Sequence, residues 1–295
     1  MNRSAALLVL FGLMLHQEDA ADQREQTVAY VRGLQGPDGG FYGVRSRFIA
    51  PGPGGTSLRA TLAALRALKY FGGEVRKRDG CIRFVEGCRD AASGGFAQRP
   101  GGKPDSLSTA LGIMAVVELK QPTEAVGEAG LKYLGDHATG IEEIRMAAAA
   151  AESLGRRPPQ AGEWIAQVVR MTNADGSFGK GEGAARDTGS AVVTILRLGG
   201  TIRQRENVLR TLRAGQRADG GFDKAGESGS DLESCYRVMR AFAMLKEKPR
   251  DVEGFRRFVG RCRNADGGYG VKPGEPSNVA ATYYAGIVLH WRGGD

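Results

Sequence analysis

Little in this chain could do chemistry unaided. Its 295 residues include three histidines, four cysteines and two tryptophans, and aromatics make up only 7%. No Gly-x-Ser-x-Gly elbow, His-Glu-x-x-His pair or phosphate-binding glycine loop occurs, which removes common hydrolase, metalloprotease and nucleotide-binding patterns. No apolar stretch approaches the ~20 residues that a membrane-spanning helix needs. Cys81 and Cys88 lie seven residues apart on one predicted helix, a rise of roughly 10 Å that no disulfide bridges. Cys88 and Cys262 occupy matching places just before a glycine-rich phrase and read as small core residues. The formal net charge is +8, but arginines such as those from Arg203 to Arg217 are spread along helix faces without interleaved stacking aromatics. Nucleic acid is therefore not an expected partner.

Glycine, by contrast, is abundant: 45 residues, roughly double the usual ~7%. Many fall in a recurring phrase that ends on an aromatic residue: Gly39-Gly40-Phe41, Gly94-Gly95-Phe96, Gly176-Ser177-Phe178, Gly220-Gly221-Phe222 and Gly267-Gly268-Tyr269. The aromatic steps are 55, 82, 44 and 47 residues. The long step is close to twice the shortest, so a sixth, worn unit is expected near Asp136 to Gly140, ahead of the apolar run Ile144 to Leu154. Periods of this size mark arrays of one supersecondary unit.

The fifth unit shows the plan. Val208, Leu209 and Leu212 belong to a first helix ending near Gly215-Gln216. After the glycine phrase, Leu232, Tyr236, Met239 and Phe242 recur at i, i+4, i+7 and i+10, which lines one face of a second helix. The first unit repeats it with Val28, Val31 and Leu34, then Leu58, Leu62, Leu65 and Leu68. Each second helix is expected to open on a short polar cap: Thr56-Ser57, Asp105-Ser106, Asp187-Thr188, Ser230-Asp231 or Ser277-Asn278. No useful window alternates with period two. The fold class is all-α, with six helical hairpins joined by Gly-Gly-aromatic turns. An open array needs polar end units, yet the last unit keeps the phrase and ends on Tyr283, Tyr284, Ile287, Val288 and Leu289. A closed ring of six inner and six outer helices buries both ends.

The N-terminus reads differently. Arg3 precedes eleven residues without charge, Ala5 to Leu15, and then a polar segment leading to Ala20-Ala21. That order is that of a secretory signal peptide. The expectation is a signal over 1–21, one domain over 22–295, and export to the periplasm or the extracellular space.

The phrase glutamine, short spacer, Asp-Gly-Gly-Phe, then a Gly/Pro loop and an apolar helix resembles the repeat of protein prenyltransferase β subunits and terpenoid cyclases. Gln35 to Phe41 and Gln216 to Phe222 carry the resemblance, with Arg99 to Lys103 and Lys272-Pro273-Gly274 as loops. It implies an α/α toroid (an α6-α6 barrel) with a central cavity. Active prenyltransferases hold zinc with an acid two residues before a Cys-Tyr pair and a histidine in the last unit. Glu233-Ser234-Cys235-Tyr236 matches the first part, so Glu233 and Cys235 are the metal candidates, but the histidine position falls on Ala281. The cyclases' Asp-x-Asp-Asp run is missing, and no catalytic residue is assigned. If the ring forms, inner-helix N-termini converge at one end of a cavity expected to be bordered by Asp105, Asp187, Asp231, Tyr236, Met239, Tyr283 and Tyr284. The expected ligand is a hydrophobic small molecule, a lipid or a peptide, held without a cofactor; zinc is the one metal the resemblance would admit. Two other readings stay open: a divergent prenyltransferase or cyclase-like enzyme, and a non-catalytic protein-interaction scaffold. The partner subunit is not legible in the residues.

Overall fold

The computed structural model describes residues 21–44 and 55–293. Nearly all of the expected signal segment lies outside the described residues. The described chain forms six helical hairpins. The outer helices are α1 (21–32), α3 (Arg78–Gly87), α5 (Glu124–His137), α7 (Ala161–Val169), α9 (Arg205–Ala214) and α11 (Val252–Arg261). The inner helices are α2 (Leu58–Phe71), α4 (Ser106–Glu118), α6 (Ile141–Ser153), α8 (Ala184–Arg197), α10 (Leu232–Leu245) and α12 (Val279–Gly293). Extended pairing among the described residues is confined to isolated bridges at the corners.

Local chemistry sets most helix starts. The Ser57, Asp105 and Asp231 side chains accept from the amides of Ala60, Ser108 and Ser234, and Asn278 Oδ1 accepts from Ala281 at 2.8 Å. Each satisfies an amide that the helix itself leaves unpaired. The fourth unit departs from expectation. There α8 begins at Ala184 after a 3-10 turn over Gly181–Gly183, so Asp187 lies inside the first turn and does not cap it. Glycines at 179 and 181, both with positive φ, curl the loop early into helix.

The ring closes. Helix α2 packs on α4, α4 on α6, α6 on α8, α8 on α10, α10 on α12, and α12 on α2. The closing bond repeats the internal ones. The amides of Leu58 and Leu232, each the first residue of its inner helix, donate to Gln98 and Val271 of the next corner at 2.8 and 2.9 Å. Val279 donates in the same way to Gly43 of the first corner at 2.9 Å. The acceptor is always two residues past the phrase aromatic. Outside this layer, the phrase glycine of one unit abuts the next outer helix: Gly39 meets Gly80, Gly220 meets Gly254, and Gly267 meets Gln26 of α1.

The worn third unit is also present. Only Ala138, Thr139 and Gly140 join α5 to α6, and Glu143 Oε2 accepts from the amides of Gly140 and Thr139 at 2.8 and 3.0 Å. A side-chain cap replaces the glycine corner here. All four cysteines are free and buried.

Gly220→Ala tests the corner contact. Its φ is +93° and an added Cβ would overlap the Gly254 carbonyl, so a loss of about 3 kcal/mol is expected from strain plus overlap. Gly226→Ala, at φ +77° with open space around it, should lose about 1 kcal/mol. Urea denaturation midpoints read the difference; equal losses would show that the helix contact contributes nothing.

Candidate functional site

A single polar slot links every well-formed corner to its inner helix. The backbone N–H of the phrase aromatic donates to a side chain near the start of the inner helix, four residues past the cap in four corners and five past Gly183 in the other. Phe41 donates to Thr61, Phe96 to Thr109, Phe178 to Thr188 and Tyr269 to Thr282, at 2.9 to 3.1 Å. In the fifth unit the acceptor is Cys235 Sγ, 3.3 Å from the Phe222 nitrogen. Cys235 is thus the fifth member of a threonine series. Burial pushes its thiol well above the ordinary range.

The inner helices present arginines and tyrosines to the middle of the ring. Arg237 and Arg240 of α10 reach past α8 to α6. Arg240 Nη2 lies 2.8 Å from Glu152 Oε1 and Arg237 Nη1 lies 3.6 Å from Glu142 Oε2. Arg197 of α8 joins Glu152 at 2.8 Å, and Arg186 of α8 joins Glu233 of α10 at 3.2 Å. Arg145 pairs with Glu142 on its own helix, and Arg66 of α2 pairs with Glu118 of α4 at 3.0 Å. Six arginines therefore meet four glutamates. Between Arg145, Ser190, Val193, Arg197, Tyr236, Arg237 and Arg240 the remaining space is only about 10 Å³, about enough for one water.

An aromatic cluster fills the other side. Tyr236 stacks on Tyr284 and Trp291, with ring centroids 5.0 and 5.8 Å apart. Tyr283 lies 5.7 Å from Tyr236 and accepts a cation–π contact from Arg66. Burial works against a Tyr236 phenolate, but Arg197, Arg66 and Arg145, with a hydrogen bond from the Tyr283 hydroxyl, bring its pKa down to about 8. Tyr283 moves the opposite way, raised by burial and by the neighbouring Tyr236.

The expected cavity residues separate into three groups. Tyr236, Tyr283 and Tyr284 do come together in the interior. Asp105 and Asp231 are helix caps whose second oxygens also accept from the Ser108 and Ser234 hydroxyls, at 2.6 and 2.7 Å. Asp187 is exposed, 3.7 Å from Arg186. Met239 faces a separate cavity near the end of α10. Sequence reasoning missed the interior arginines, because an arginine on an amphipathic helix reads as solvated until ring closure turns that face inward.

Six hairpins in a ring, whose closing junction uses the corner bond seen at two internal junctions, are the arrangement described by the prenyltransferase alpha-alpha toroid domain, whose family model matches residues 3–89, 67–146 and 132–291. The chain belongs to this family. Among curated relatives, the protein farnesyltransferase subunit beta of Arabidopsis thaliana is 34% identical over 82 residues, which is 25% of this chain and 17% of that protein. Among solved structures, Candida albicans protein geranylgeranyltransferase-I complexed with GGPP superposes with a TM-score of 0.64 at 12% identity, covering 80% of this chain and 84% of that one. A type II terpene cyclase from Scytonema in complex with geranylgeranyl dihydroxybenzoate gives 0.61 at 9% identity, covering 93% and 98%. Likeness at this level of identity speaks for the fold alone.

The toroid's residues do not fit a zinc ion at the place the resemblance implies. A catalytic zinc takes three protein ligands and an open position. Here the third place is Ala281, fully buried. The Cys235 sulfur is engaged by the Phe222 amide. Glu233 is disfavoured as a carboxylate by burial but held below the ordinary range by Arg237 and Arg186, so its charge is already matched. Among the described residues no three His, Cys, Asp or Glu side chains stand close enough to share a metal.

Tyr236 offers a direct check of the interior charge. An alkaline titration followed by near-ultraviolet tyrosinate absorbance should show one early phenolate, forming near pH 8, that is absent in Tyr236→Phe. A depressed folded-state value means that the unfolded chain binds more protons between about 8 and the ordinary ~10, so Tyr236 should make stability rise with pH across that window. A Tyr236→Phe profile identical to that of the parent protein would remove the arginine cluster's influence.

Proposed function

We propose that the chain is an exported, non-catalytic toroid that binds a hydrophobic or amphipathic ligand or a peptide without a zinc centre. The observation that carries this reading is the pair of ionic contacts from α10 to α6. They bridge the two inner helices that flank α8 and put charge where an isoprenoid substrate would need apolar wall. Clearing that wall would strand arginines such as Arg197, whose side chain is only 6% exposed. The glutamates of the two α10–α6 pairs are 51% and 35% exposed, so solvent screening keeps the cost of separating each pair below the ~3–5 kcal/mol of a fully buried one. The interior thus serves as a structural plug, and binding falls to cavities and faces outside it. Export rests on the charged, apolar, polar order of the first residues and matches the loss of zinc chemistry, because cytosolic isoprenoid diphosphate would be out of reach.

The test combines metal analysis with chemistry. Purified protein should contain no stoichiometric zinc and should form no thioether between a cysteine peptide and farnesyl or geranylgeranyl diphosphate. Cys235→Thr, which copies the slot of the other corners, should stay within about 1 kcal/mol of the parent in stability. Stoichiometric zinc that disappears in Cys235→Thr together with prenyl transfer would overturn this reading and restore the enzyme. N-terminal sequencing of protein from its own host should find a mature chain that begins near residue 22 in the exported fraction.

A further inference from the structure

Two junctions of the ring are bolted by an arginine that the last junction lacks. Arg78, the first residue of α3, donates through Nη2 to the Leu119 carbonyl at the end of α4. Arg205, the first residue of α9, donates to the Leu245 carbonyl at the end of α10 at 3.0 Å. Helix α11 keeps the register of α3: Gly254 and Gly80 are each third in their helices and each abuts a phrase glycine. In the arginine slot, however, α11 carries Val252. Beside this shorter side chain a cavity of about 670 Å³ opens between the ends of α10, α11 and α12, well within the ~300–1,000 Å³ of small-molecule sites.

The cavity has a polarity of its own. Ala243, Val252 and Trp291 give it an apolar surface, backed by the buried Met239, Phe242 and Phe255. Lys246, Lys248, Arg256 and His290 stand at its edge. The one acid among its described lining residues, Glu247, is already committed, with its two oxygens at 2.8 Å from Arg205 and 2.7 Å from Arg213. Arg256 pairs with Glu253 on its own helix, whereas among the described residues no ion pair engages Lys246 or Lys248, both exposed. An apolar surface with an unneutralised cationic edge selects a molecule with an apolar chain and an anionic head.

We propose that this cavity binds a free single-chain amphiphile with a carboxylate or phosphate head. The chain lies against Ala243, Val252 and Trp291, and the head meets Lys246 and Lys248. The site gives the non-catalytic reading a ligand class and a place outside the plugged interior, and it rests on that reading. Zinc content and amphiphile binding are separate measurements, so the failure of one is distinguishable from the failure of the other.

Trp291 is the reporter. The chain has two tryptophans, and Trp164 is buried in α7, so Trp164→Phe leaves the cavity residue as the sole indole. Dodecanoate, dodecyl phosphate and dodecanol, each titrated below its aggregation limit, are the probes. Saturable fluorescence changes with one molecule per chain are expected for both anions, with dodecanol about ten-fold weaker. Val252→Arg, which restores the bolt, should weaken all three about ten-fold or more. The Lys246→Glu/Lys248→Glu double variant, at exposed positions that should leave folding intact, should lose the preference for the anions while keeping dodecanol binding. Equal binding by a folded Val252→Arg protein, an unchanged preference in the lysine double variant, or association with phosphatidylglycerol vesicles but not with dodecanoate would each overturn the proposal.

Discussion

The closure of the ring rests on one hydrogen bond, made at three of its six junctions, the closing one included. The first amide of an inner helix has no partner inside its own helix, and at Gln98, Val271 and Gly43 the carbonyl two residues past the corner aromatic takes no bond from its own corner. Leu58 with Gln98, Leu232 with Val271 and Val279 with Gly43 solve both problems together, always by reaching forward one unit. An open array would leave the last amide and the first carbonyl to water. Closure satisfies them with the geometry already used elsewhere, so the ring needs no special seam.

Closure in turn decides what the inner faces meet. Helices that would each show a polar stripe to solvent now show it to one another across a narrow centre. The arginines brought together there lose most of their hydration, while Glu142, Glu152 and Glu233 keep a third to a half of theirs, so the cost lies mainly on the cationic side. The arrangement is sustained because most charged groups there find a counter-charge and because the tyrosines pack around them. The Tyr236 phenol, drawn down by three arginines, records how strongly cationic the centre remains. A centre built in this way stiffens the ring and leaves ligand-sized space at its periphery, where α10, α11 and α12 end.

Some of this was legible from residue order alone. The period of the glycine phrase announced six hairpins, including the worn one. Its place was inferred from a step of double length and is filled by the Ala138-Thr139-Gly140 connection. Caps at Ser57, Asp105 and Asp231 were readable because capping is local. The cap expected at Asp187 was misplaced by one turn, since loop glycines with positive φ let α8 start early. The equivalence of Cys235 with Thr61, Thr109 and Thr282 was present in the four-residue spacing from each cap, whereas Thr188 joins the series only through its bond to Phe178. It stood out only once the aromatic amides were seen to share one kind of acceptor.

The fold class, the number of units and the closed ring followed from periodic apolar positions and corner glycines. Those signals act over a few residues, or repeat, and so survive in a one-dimensional reading. The state of the centre did not follow. Whether an inner arginine is solvated or paired depends on helices far apart in the chain, as with Arg240 and Glu152, 88 residues apart. The empty bolt position at Val252 likewise acquires meaning only beside Arg78 and Arg205, because a void is set by what neighbouring elements fail to fill.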